Sequence, residues 1–264
     1  MTYQTIKVEF HGPVCYLQFH RPEADNAIND LLVSECHDVL SICEETAKVI
    51  VLSGSPEVFC LGADFRAIGA TPHGFKDNGD GPESLYELWL RLATGPFVTI
   101  ANVRGKANAG GIGFVAASDI VLAEESARFS LSELLFGLYP ACVLPFLVRR
   151  VGFQKAHYLT LMSQTIPAHQ AFAWGLVDVV APANDVLLRK HLQRLSRLSK
   201  NAIRRYKSYA GRISAPLQEL RTPAVAANRE MFSDSGNLRA IVQYVERGVF
   251  PWEELMEHPR MSAE

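Results

Sequence analysis

Short apolar segments of strand length alternate with helical segments along the first half of the chain, and this order constrains the fold more than any other feature. Residues 48–53, 97–103 and 120–123 are nearly uninterrupted apolar runs, which are typical of strands buried on both faces. Apolar residues recur at helical spacing over 28–43 and 84–93. The repeated order of strand, loop, helix and strand predicts an α/β fold with a recurring unit, although the sequence self-similarity is too weak to establish a repeat.

The same patterns predict the remaining elements. Residues 5–10 and 14–19 form two predicted strands joined by a turn at His11-Gly12-Pro13, and Asn26 is the predicted N-cap of the first helix. Residues 69–84 are rich in Gly, Pro and Asp, which predicts a mobile loop. From about residue 143 helical patterns dominate. The predicted helices there are 143–151, 156–161, 168–174, 185–209 and 236–247.

The domain organisation follows from this change of character. We find no linker and no low-complexity segment, so we interpret the chain as one domain with a helical appendage. The predicted boundary separates a core of residues 1–195 from a C-terminal helical region of residues 196–264. Stacked C-terminal helices often pack against a neighbouring subunit, so we expect the second region to mediate oligomerisation.

The composition disfavours several classes of protein. A formal net charge of −2 argues against general nucleic-acid binding. No uncharged apolar run reaches the roughly 18 residues that a membrane span needs, so we predict no membrane partner. The five cysteines lack CxxC spacing and the first residues form no apolar signal segment, which predicts reduced thiols in a cytoplasmic protein. His20, His157 and His169 stand alone in the sequence, so we predict no metal site.

Two glycine-containing turns are candidates for an oxyanion-binding site. Residues 105–113, Gly-Lys-Ala-Asn-Ala-Gly-Gly-Ile-Gly, open a predicted helix, whose N-terminus presents free N–H groups to an anionic oxygen. We select Gly110 as the donor there. Residues 58–64, Val-Phe-Cys-Leu-Gly-Ala-Asp, follow a buried strand, and their turn can direct the N–H of Leu61 out of the sheet. Taken alone, an ordinary strand-to-loop turn explains residues 58–64 better than an anion site does, and close helix packing is the alternative explanation of the glycine cluster.

A lone carboxylate, Glu133, lies in the apolar segment 129–137. Burial raises the pKa of a carboxyl group toward the range in which it can take a proton from the carbon beside a thioester carbonyl. A helix cap or a salt bridge would explain Glu133 as well, but together with the two turns it indicates enolate chemistry. Cys60 and Cys142 lack the partner histidine that a nucleophile needs, so we interpret both as packing residues.

Five motifs in order resemble the enoyl-CoA hydratase/isomerase (crotonase) superfamily, from about residue 5 to about residue 252. They are Arg21-Pro-Glu…Asn26-Ala-Ile, Phe59-Cys-Leu-Gly-Ala-Asp64, Gly110-Gly-Ile-Gly…Ser118-Asp-Ile, Ser132-Glu133 and Ala171…Gly175-Leu-Val-Asp178. The resemblance implies an α/β, crotonase-like spiral of ββα units, a C-terminal helical trimerisation region that forms a homotrimer or a dimer of trimers, and thioester substrates.

The resemblance also implies roles for individual residues. It places the oxyanion donors at Leu61 and Gly110 and a catalytic carboxylate at Glu133. The implied substrate-binding residues are Gly62, Ala63, Asp64, Gly111 and Tyr139. The chain departs from the family at one position, because its hydratases commonly use two glutamates. The second corresponds to Glu133 and the first to Gly113, which has no side chain. This departure disfavours simple water addition and favours isomerisation or a specialised elimination.

Residues 129–156 and both ends of the chain are most similar to the hydratase homologues in the β-branching cassettes of bacterial polyketide synthases. The resemblance implies dehydration of 3-hydroxy-3-methylglutaryl on an acyl carrier protein to 3-methylglutaconyl. It implies no cofactor except the phosphopantetheine arm that carries the thioester. The sister decarboxylase of those cassettes lacks the glutamate, so Glu133 favours the dehydratase. The alternatives are an acyl-CoA hydratase or double-bond isomerase, and a non-catalytic binding protein of the same fold.

Three roles stay open at this point. Glu133 can return its proton to the leaving hydroxyl if both groups lie on one face, with help from Tyr139 or Asp64. The distal carboxylate of the substrate needs a cation or several donors, for which the candidates are Arg66, His73, Lys76 and Arg91, and none stands out. Basic residues over 189–207 and at 149–155 can steer an acidic carrier, although a solvated face or an oligomer contact explains them equally well.

Overall fold

The computed structural model describes residues 2–66, 81–214 and 216–253, and within them ten strands form two sheets. The larger sheet contains β1 (Ile6–His11), β2 (Val14–Phe19), β3 (Val49–Ser53), β5 (Val98–Val103), β7 (Ile120–Glu124) and β10 (Val179–Ala181), in the order β1-β2-β3-β5-β7-β10. The smaller sheet contains β4 (Val58–Cys60), β6 (Lys106–Asn108), β8 (Arg128–Ser130) and β9 (Ile166–Pro167), in that order. Only the pairs β1·β2 and β8·β9 are antiparallel in these described sheets.

The helices cover and extend these sheets. They are α1 (Asp30–Thr46), α2 (Gly81–Thr94), α3 (Gly110–Ala117), α4 (Leu144–Val151), α5 (Phe153–Met162), α6 (Ala168–Ala173), α7 (Asn184–Leu195), α8 (Lys200–Ile213), α9 (Leu217–Ser233) and α10 (Ser235–Arg247). Short 3₁₀ turns occupy Pro22–Ala24 and Glu133–Phe136.

Each repeat pairs one strand of each sheet. β3 leads into β4, β5 into β6 and β7 into β8, and α2 and α3 make the first two crossovers. Successive repeats lie side by side, because Val58 pairs with Lys106 and Lys106 pairs with Arg128. The chain therefore winds as a spiral of ββα units, which confirms the predicted α/β fold.

The apolar runs are explained by burial on both faces of the larger sheet. Along β3, Ile50 and Leu52 belong to the main core, while Val49 and Val51 belong to a second cluster that includes Leu188 of α7. Side chains alternate between the two faces of a strand, so both sets are apolar and the segment reads as one continuous run.

Two local predictions at helix ends are wrong. The N-cap of α1 is Asn29, whose side chain accepts from the N–H of Leu32 at 2.9 Å, and not Asn26. Asn26 is buried and instead donates to the carbonyl of Val58 at 3.0 Å. The single helix predicted over 185–209 is two helices, α7 and α8. They separate at Ser196–Ser199, where the Ser199 side chain caps α8 by accepting from the N–H of Ala202 at 3.1 Å.

The C-terminal region contains a helix that the sequence patterns did not predict. Helix α9 carries Pro223 in its interior, and proline usually marks a helix boundary. The predicted loop over 69–84 falls mostly outside the described residues, and its last part is the first turn of α2.

Candidate active site

A cavity of about 960 Å³ lies where the smaller sheet, α2, α3 and residues 132–143 meet. It brings together residues that are distant in sequence. Of the predicted site residues, the following line it: Leu61, Ala63, Asp64, Gly110, Glu133 and Tyr139. Gly62 and Gly111 are not among the described lining residues. Both lie where the turn after β4 and the start of α3 approach each other closely.

The turn after β4 lies against the first residue of α3. A Cβ atom on Gly62 would lie 2.9 Å from the backbone nitrogen of Gly110, and the φ angle of Gly62 is +90°. Glycine is therefore required there both by the backbone conformation and by the close approach. Ile28 fixes the turn, because its N–H donates to the Gly62 carbonyl at 2.7 Å and its carbonyl accepts from the N–H of Asp64 at 3.0 Å.

Two backbone N–H groups are free to act as donors beside this contact. Gly110 is the first residue of α3, so its N–H has no intrahelical acceptor. Leu61 directly follows the last residue of β4. In the described part of the chain, no turn or loop carbonyl accepts from either N–H. Both residues line the cavity, as an oxyanion-binding pair requires.

A strained residue precedes Gly110. Ala109 has φ 48° and ψ −119°, a conformation that residues with side chains rarely adopt. It is held there because its N–H donates to the carbonyl of Ser130 in β8 at 3.1 Å. Strain of this kind is typical of functional turns, and here it sets the direction of the N–H that follows.

Gly111 explains how α3 begins so close to β4. A Cβ atom at this position would lie 2.1 Å from the carbonyl oxygen of Cys60. Any side chain would therefore push the helix away from the strand and move Gly110 with it. The glycine cluster thus carries both properties considered from the sequence, a free N–H at Gly110 and close packing at Gly111.

Glu133 begins the 3₁₀ turn Glu133–Phe136, which closes at Gly137 in the left-handed conformation. Its Oε2 atom is buried and has no hydrogen-bond partner among the described residues. Desolvation raises the pKa of this carboxyl group to about 7, although the N–H groups of Glu133 and Ser132 act in the opposite direction. A group with this pKa is present in both protonation states near neutral pH, so it can take up and release a proton.

A chain of polar side chains supports the segment before Glu133. Ser130 donates to Oδ1 of Asn108 at 2.8 Å, and Nδ2 of Asn108 donates to the hydroxyl of Ser132 at 2.9 Å. These residues line the cavity and link β6 and β8 to the 3₁₀ turn. The sequence analysis missed them, because only the pairing of the two strands brings Asn108 and Ser130 together.

Asp64 and Tyr139 have different surroundings. Asp64 forms an ion pair with Nη2 of Arg21 at 2.9 Å, and both side chains are 11% exposed. Nη1 of Arg21 also donates to the carbonyl of Ala27 at 2.6 Å, so this pair fixes one wall of the cavity. Tyr139 is 38% exposed, and its backbone N–H contacts the sulfur of Met231 at 3.0 Å.

An indole packs against Gly113, the position to which the resemblance assigns the first of the two family glutamates. A Cβ atom on Gly113 would lie 2.4 Å from Cζ2 of Trp89. Trp89 lines the cavity from α2 and is 1% exposed. Among the described lining residues the carboxylates are Asp25, Asp30, Asp64 and Glu133, and the first two are exposed to solvent while the third is ion-paired. Among the described residues, Glu133 is thus the lining carboxylate that has a buried oxygen atom and no ion-pair partner.

The four cations considered as partners of the distal carboxylate of the substrate have different positions in the structure. Arg66 lines the cavity, whereas Arg91 forms an ion pair with Glu44 at 2.8 Å and is not a lining residue. His73 and Lys76 lie outside the described residues. Two further cations that the sequence did not single out, Lys106 and Arg128, also line the cavity.

The described residues contain no group of three or more side chains that could hold a metal ion. They also contain no helix that is long and apolar enough to cross a membrane. Burial raises the pKa of both Cys60 and Cys142 to about 12, so neither thiol ionises readily at neutral pH.

Comparisons with known proteins identify the family of the chain. Residues 9–255 match the enoyl-CoA hydratase/isomerase family. The chain is 55% identical over 255 residues to the bacillaene synthase dehydratase PksH of Bacillus subtilis, covering 96% of this chain and 98% of that protein. It is 32% identical to the 2,3-dehydroadipyl-CoA hydratase of Escherichia coli, covering 72% of this chain and 73% of that protein.

Solved structures give the same result. The crystal structure of a polyketide biosynthesis enoyl-CoA hydratase, PksH, from Bacillus subtilis superposes with a TM-score of 0.91 at 55% identity, covering 95% of this chain and all of that one. An enoyl-CoA hydratase/isomerase from Xanthobacter autotrophicus superposes with a TM-score of 0.83 at 22% identity, covering 99% of this chain and 100% of that one. The second likeness concerns the fold alone.

Proposed function

This chain belongs to the enoyl-CoA hydratase/isomerase family and is a hydro-lyase, and we propose that it removes water from 3-hydroxy-3-methylglutaryl-acyl carrier protein to give 3-methylglutaconyl-acyl carrier protein. We propose that this dehydration is a step of polyketide β-branching. The observation that carries the proposal is Glu133, whose Oε2 atom is buried and has no hydrogen-bond partner among the described residues, in a cavity that the free N–H groups of Leu61 and Gly110 also line.

The first step forms an enolate. Glu133, in its ionised form, takes the proton from C2, and the electron pair of the C–H bond moves onto the thioester oxygen. The N–H groups of Leu61 and Gly110 donate hydrogen bonds to this oxygen. Each such donor is typically worth about 3–4 kcal/mol in the transition state of acyl chemistry.

The second step expels water. The enolate collapses, the C2–C3 double bond forms and the C3–O bond breaks. Glu133 returns its proton to the departing hydroxyl, which leaves as water, so the carboxylate is regenerated. One group performs both transfers because its pKa of about 7 gives it access to both states. This route requires the C2 proton and the C3 hydroxyl to lie on the same face of the substrate.

An acyl carrier protein is the proposed partner, and its phosphopantetheine arm carries the thioester, so the reaction uses no other cofactor. The exposed basic residues of α7, α8 and the turn between them would steer an acidic carrier. They are Arg189, Lys190, Arg194, Arg197, Arg204 and Arg205. Two lysines of the same segment point inward instead: Lys200 donates to the carbonyl of Ala47 at 2.6 Å, and Lys207 is ion-paired with Asp119 at 2.6 Å.

Self-association is also part of the proposal. Phe153 and Leu161 of α5 and Phe172 of α6 are between 51% and 65% exposed, and Tyr206 and Ile213 of α8 are 69% and 71% exposed. Exposed large apolar side chains are candidates for subunit contacts. We propose that they take part in a homotrimer or a dimer of trimers, and that the protein acts in the cytoplasm beside the carrier.

The decisive experiment compares carriers. The protein is mixed with 3-hydroxy-3-methylglutaryl loaded either on an acyl carrier protein or on coenzyme A, and the loss of one water is followed by mass spectrometry. We expect turnover of the carrier-bound substrate, and turnover slower by roughly 10²–10⁴-fold with Glu133→Gln. A strong preference for coenzyme A would instead favour acyl-CoA metabolism, which the likeness to 2,3-dehydroadipyl-CoA hydratase makes the second candidate. Turnover of neither substrate would favour a binding protein.

A further inference from the structure

Two residues that line the cavity each carry a buried polar atom without a hydrogen-bond partner among the described residues. Among the described residues, the buried side-chain atoms without one are Glu83 Oε2, Trp89 Nε1, Arg104 Nε, Glu133 Oε2, Asn184 Oδ1 and Gln243 Nε2. Of these residues, only Trp89 and Glu133 line the cavity. One is a pure donor and the other is an acceptor when ionised. Leaving either unpaired costs folding free energy, so each calls for an explanation.

The indole of Trp89 is rigidly held. Its ring meets Phe114 edge-on at 5.8 Å between centroids and Phe146 at 5.9 Å. It also fills the space in front of Gly113, where a Cβ atom would lie 2.4 Å from the ring. An apolar aromatic residue would satisfy this packing without burying an N–H group. The donor is therefore an additional property that packing alone does not require.

We propose that the indole N–H of Trp89 binds the C3 hydroxyl oxygen of the substrate and thereby holds that hydroxyl beside Glu133. The proposal rests on the proposed function. It assigns to this chain a substrate-orienting donor in the place where the sequence lacks a second carboxylate.

The hydrogen-bonding capacity of the substrate groups selects the hydroxyl. A hydroxyl oxygen accepts from an N–H and its hydrogen donates to a carboxylate, so it satisfies Trp89 and Glu133 together. The distal carboxylate of the substrate only accepts, and next to ionised Glu133 it would meet a like charge. The thioester oxygen is held by Leu61 and Gly110 in the proposed mechanism.

The chemistry of indole assigns different roles in the elimination to Trp89 and Glu133. The indole N–H does not give up its proton at neutral pH, so Glu133 supplies the proton that converts the leaving hydroxyl to water. Trp89 stabilises the oxygen while the C3–O bond breaks and fixes it on the face from which Glu133 has taken the C2 proton. A hydrogen bond that strengthens as charge develops on oxygen acts on the rate as well as on binding.

The test separates the hydrogen bond from packing. Trp89→Phe keeps an aromatic ring in α2 and removes the donor. In the inactive Glu133→Gln background, dissociation constants are measured by calorimetry for 3-hydroxy-3-methylglutaryl-pantetheine and for 3-methylglutaryl-pantetheine, which lacks the hydroxyl. With Trp89 present, we expect the dissociation constant of the hydroxylated thioester to be about 3–10-fold lower than that of the thioester without the hydroxyl, as one neutral hydrogen bond predicts. Trp89→Phe should remove this difference.

Tyr86→Phe is the matched control. Tyr86 lies on the same helix, is fully buried, and donates to the carbonyl of Leu217 at 2.6 Å without lining the cavity. This variant should lose stability and keep the preference for the hydroxylated thioester. If Trp89→Phe keeps the preference, or weakens both thioesters by the same factor, the inference is wrong. Absence of dehydration by the unmodified protein would instead refute the proposed function, so the two failures are distinguishable.

Discussion

Gly113 of α3 packs directly against the Cζ2 atom of Trp89 in α2, so close that a single methyl group would overlap the ring at 2.4 Å. The resemblance assigns a glutamate of the family's hydratases to position 113, and in this chain the indole of Trp89 occupies the space beside that position. A glutamate restored there would have to displace Trp89 from between Phe114 and Phe146.

Gly113→Ala should therefore destabilise the protein. Overpacking a buried site costs about 1–3 kcal/mol, and the ring cannot give way because it is held on two sides. The free energy of unfolding is measured in urea. Gly211→Ala in α8 is the control, since its Cβ atom would meet nothing within 4 Å, and it should stabilise the exposed helix by roughly 0.5–1 kcal/mol. Equal effects at the two positions would contradict the packing described here.

The rate of dehydration should depend on the ionisation of Glu133. The base must be deprotonated in the free enzyme, and burial raises its pKa to about 7. We expect kcat/KM to increase between pH 5 and pH 8 with a midpoint near that pKa, and Glu133→Gln to lower it by roughly 10²–10⁴-fold. A pH profile that is flat over this range would show that another group removes the proton.

The site elements were predictable where they depend on local sequence. The turn after β4, the glycine cluster and Glu133 can each be recognised from a few consecutive residues, and the structure brings all three to one cavity. Trp89 was not predictable as a cavity residue, because its position depends on how α2 packs on α3. The break at Ser196–Ser199 and the helix containing Pro223 were missed because tertiary contacts, rather than intrinsic propensity, decided them.

Glu133 should also make stability depend on pH. Its pKa rises from about 4.3 in the unfolded chain to about 7 in the folded one, so the folded state binds more protons between these values. The stability contribution of the protonated form is complete below about pH 4.3 and is lost as pH rises through 7. Ionised Glu133 thus destabilises the fold above neutral pH.

Glu133→Gln removes this dependence. We expect the variant to exceed the unmodified protein in free energy of unfolding by roughly 1–3 kcal/mol at pH 8, and to match it at pH 4. Urea unfolding at the two pH values measures the difference. We expect the same substitution to lower the rate of dehydration, so a catalytic residue would be seen to reduce stability. A pH-independent difference between the two proteins would rule out the raised pKa as the cause.

The ion pair with Arg21 holds the carboxylate of Asp64 in the cavity wall, and substitutions of both residues test whether Asp64 takes part in proton transfer. Both side chains are 11% exposed and the charged atoms lie 2.9 Å apart. Arg21→Met removes the cation and leaves a largely buried carboxylate, which should cost about 3–5 kcal/mol in urea unfolding. Arg21→Met/Asp64→Asn should recover part of that loss, because the second substitution neutralises the carboxylate that Arg21 contacts.

The value of kcat/KM for Asp64→Asn tests the role of Asp64 in catalysis. If Asp64 only fixes the cavity wall, Asp64→Asn keeps a hydrogen-bond acceptor for Arg21 and should lower kcat/KM for dehydration by less than about tenfold. A residue that protonates the leaving hydroxyl would lose roughly 10²-fold or more on the same substitution. Because Arg21 binds Asp64 at one oxygen and the carbonyl of Ala27 with its other nitrogen, we expect the smaller effect. The larger one would move the proton-donating role from Glu133 to Asp64.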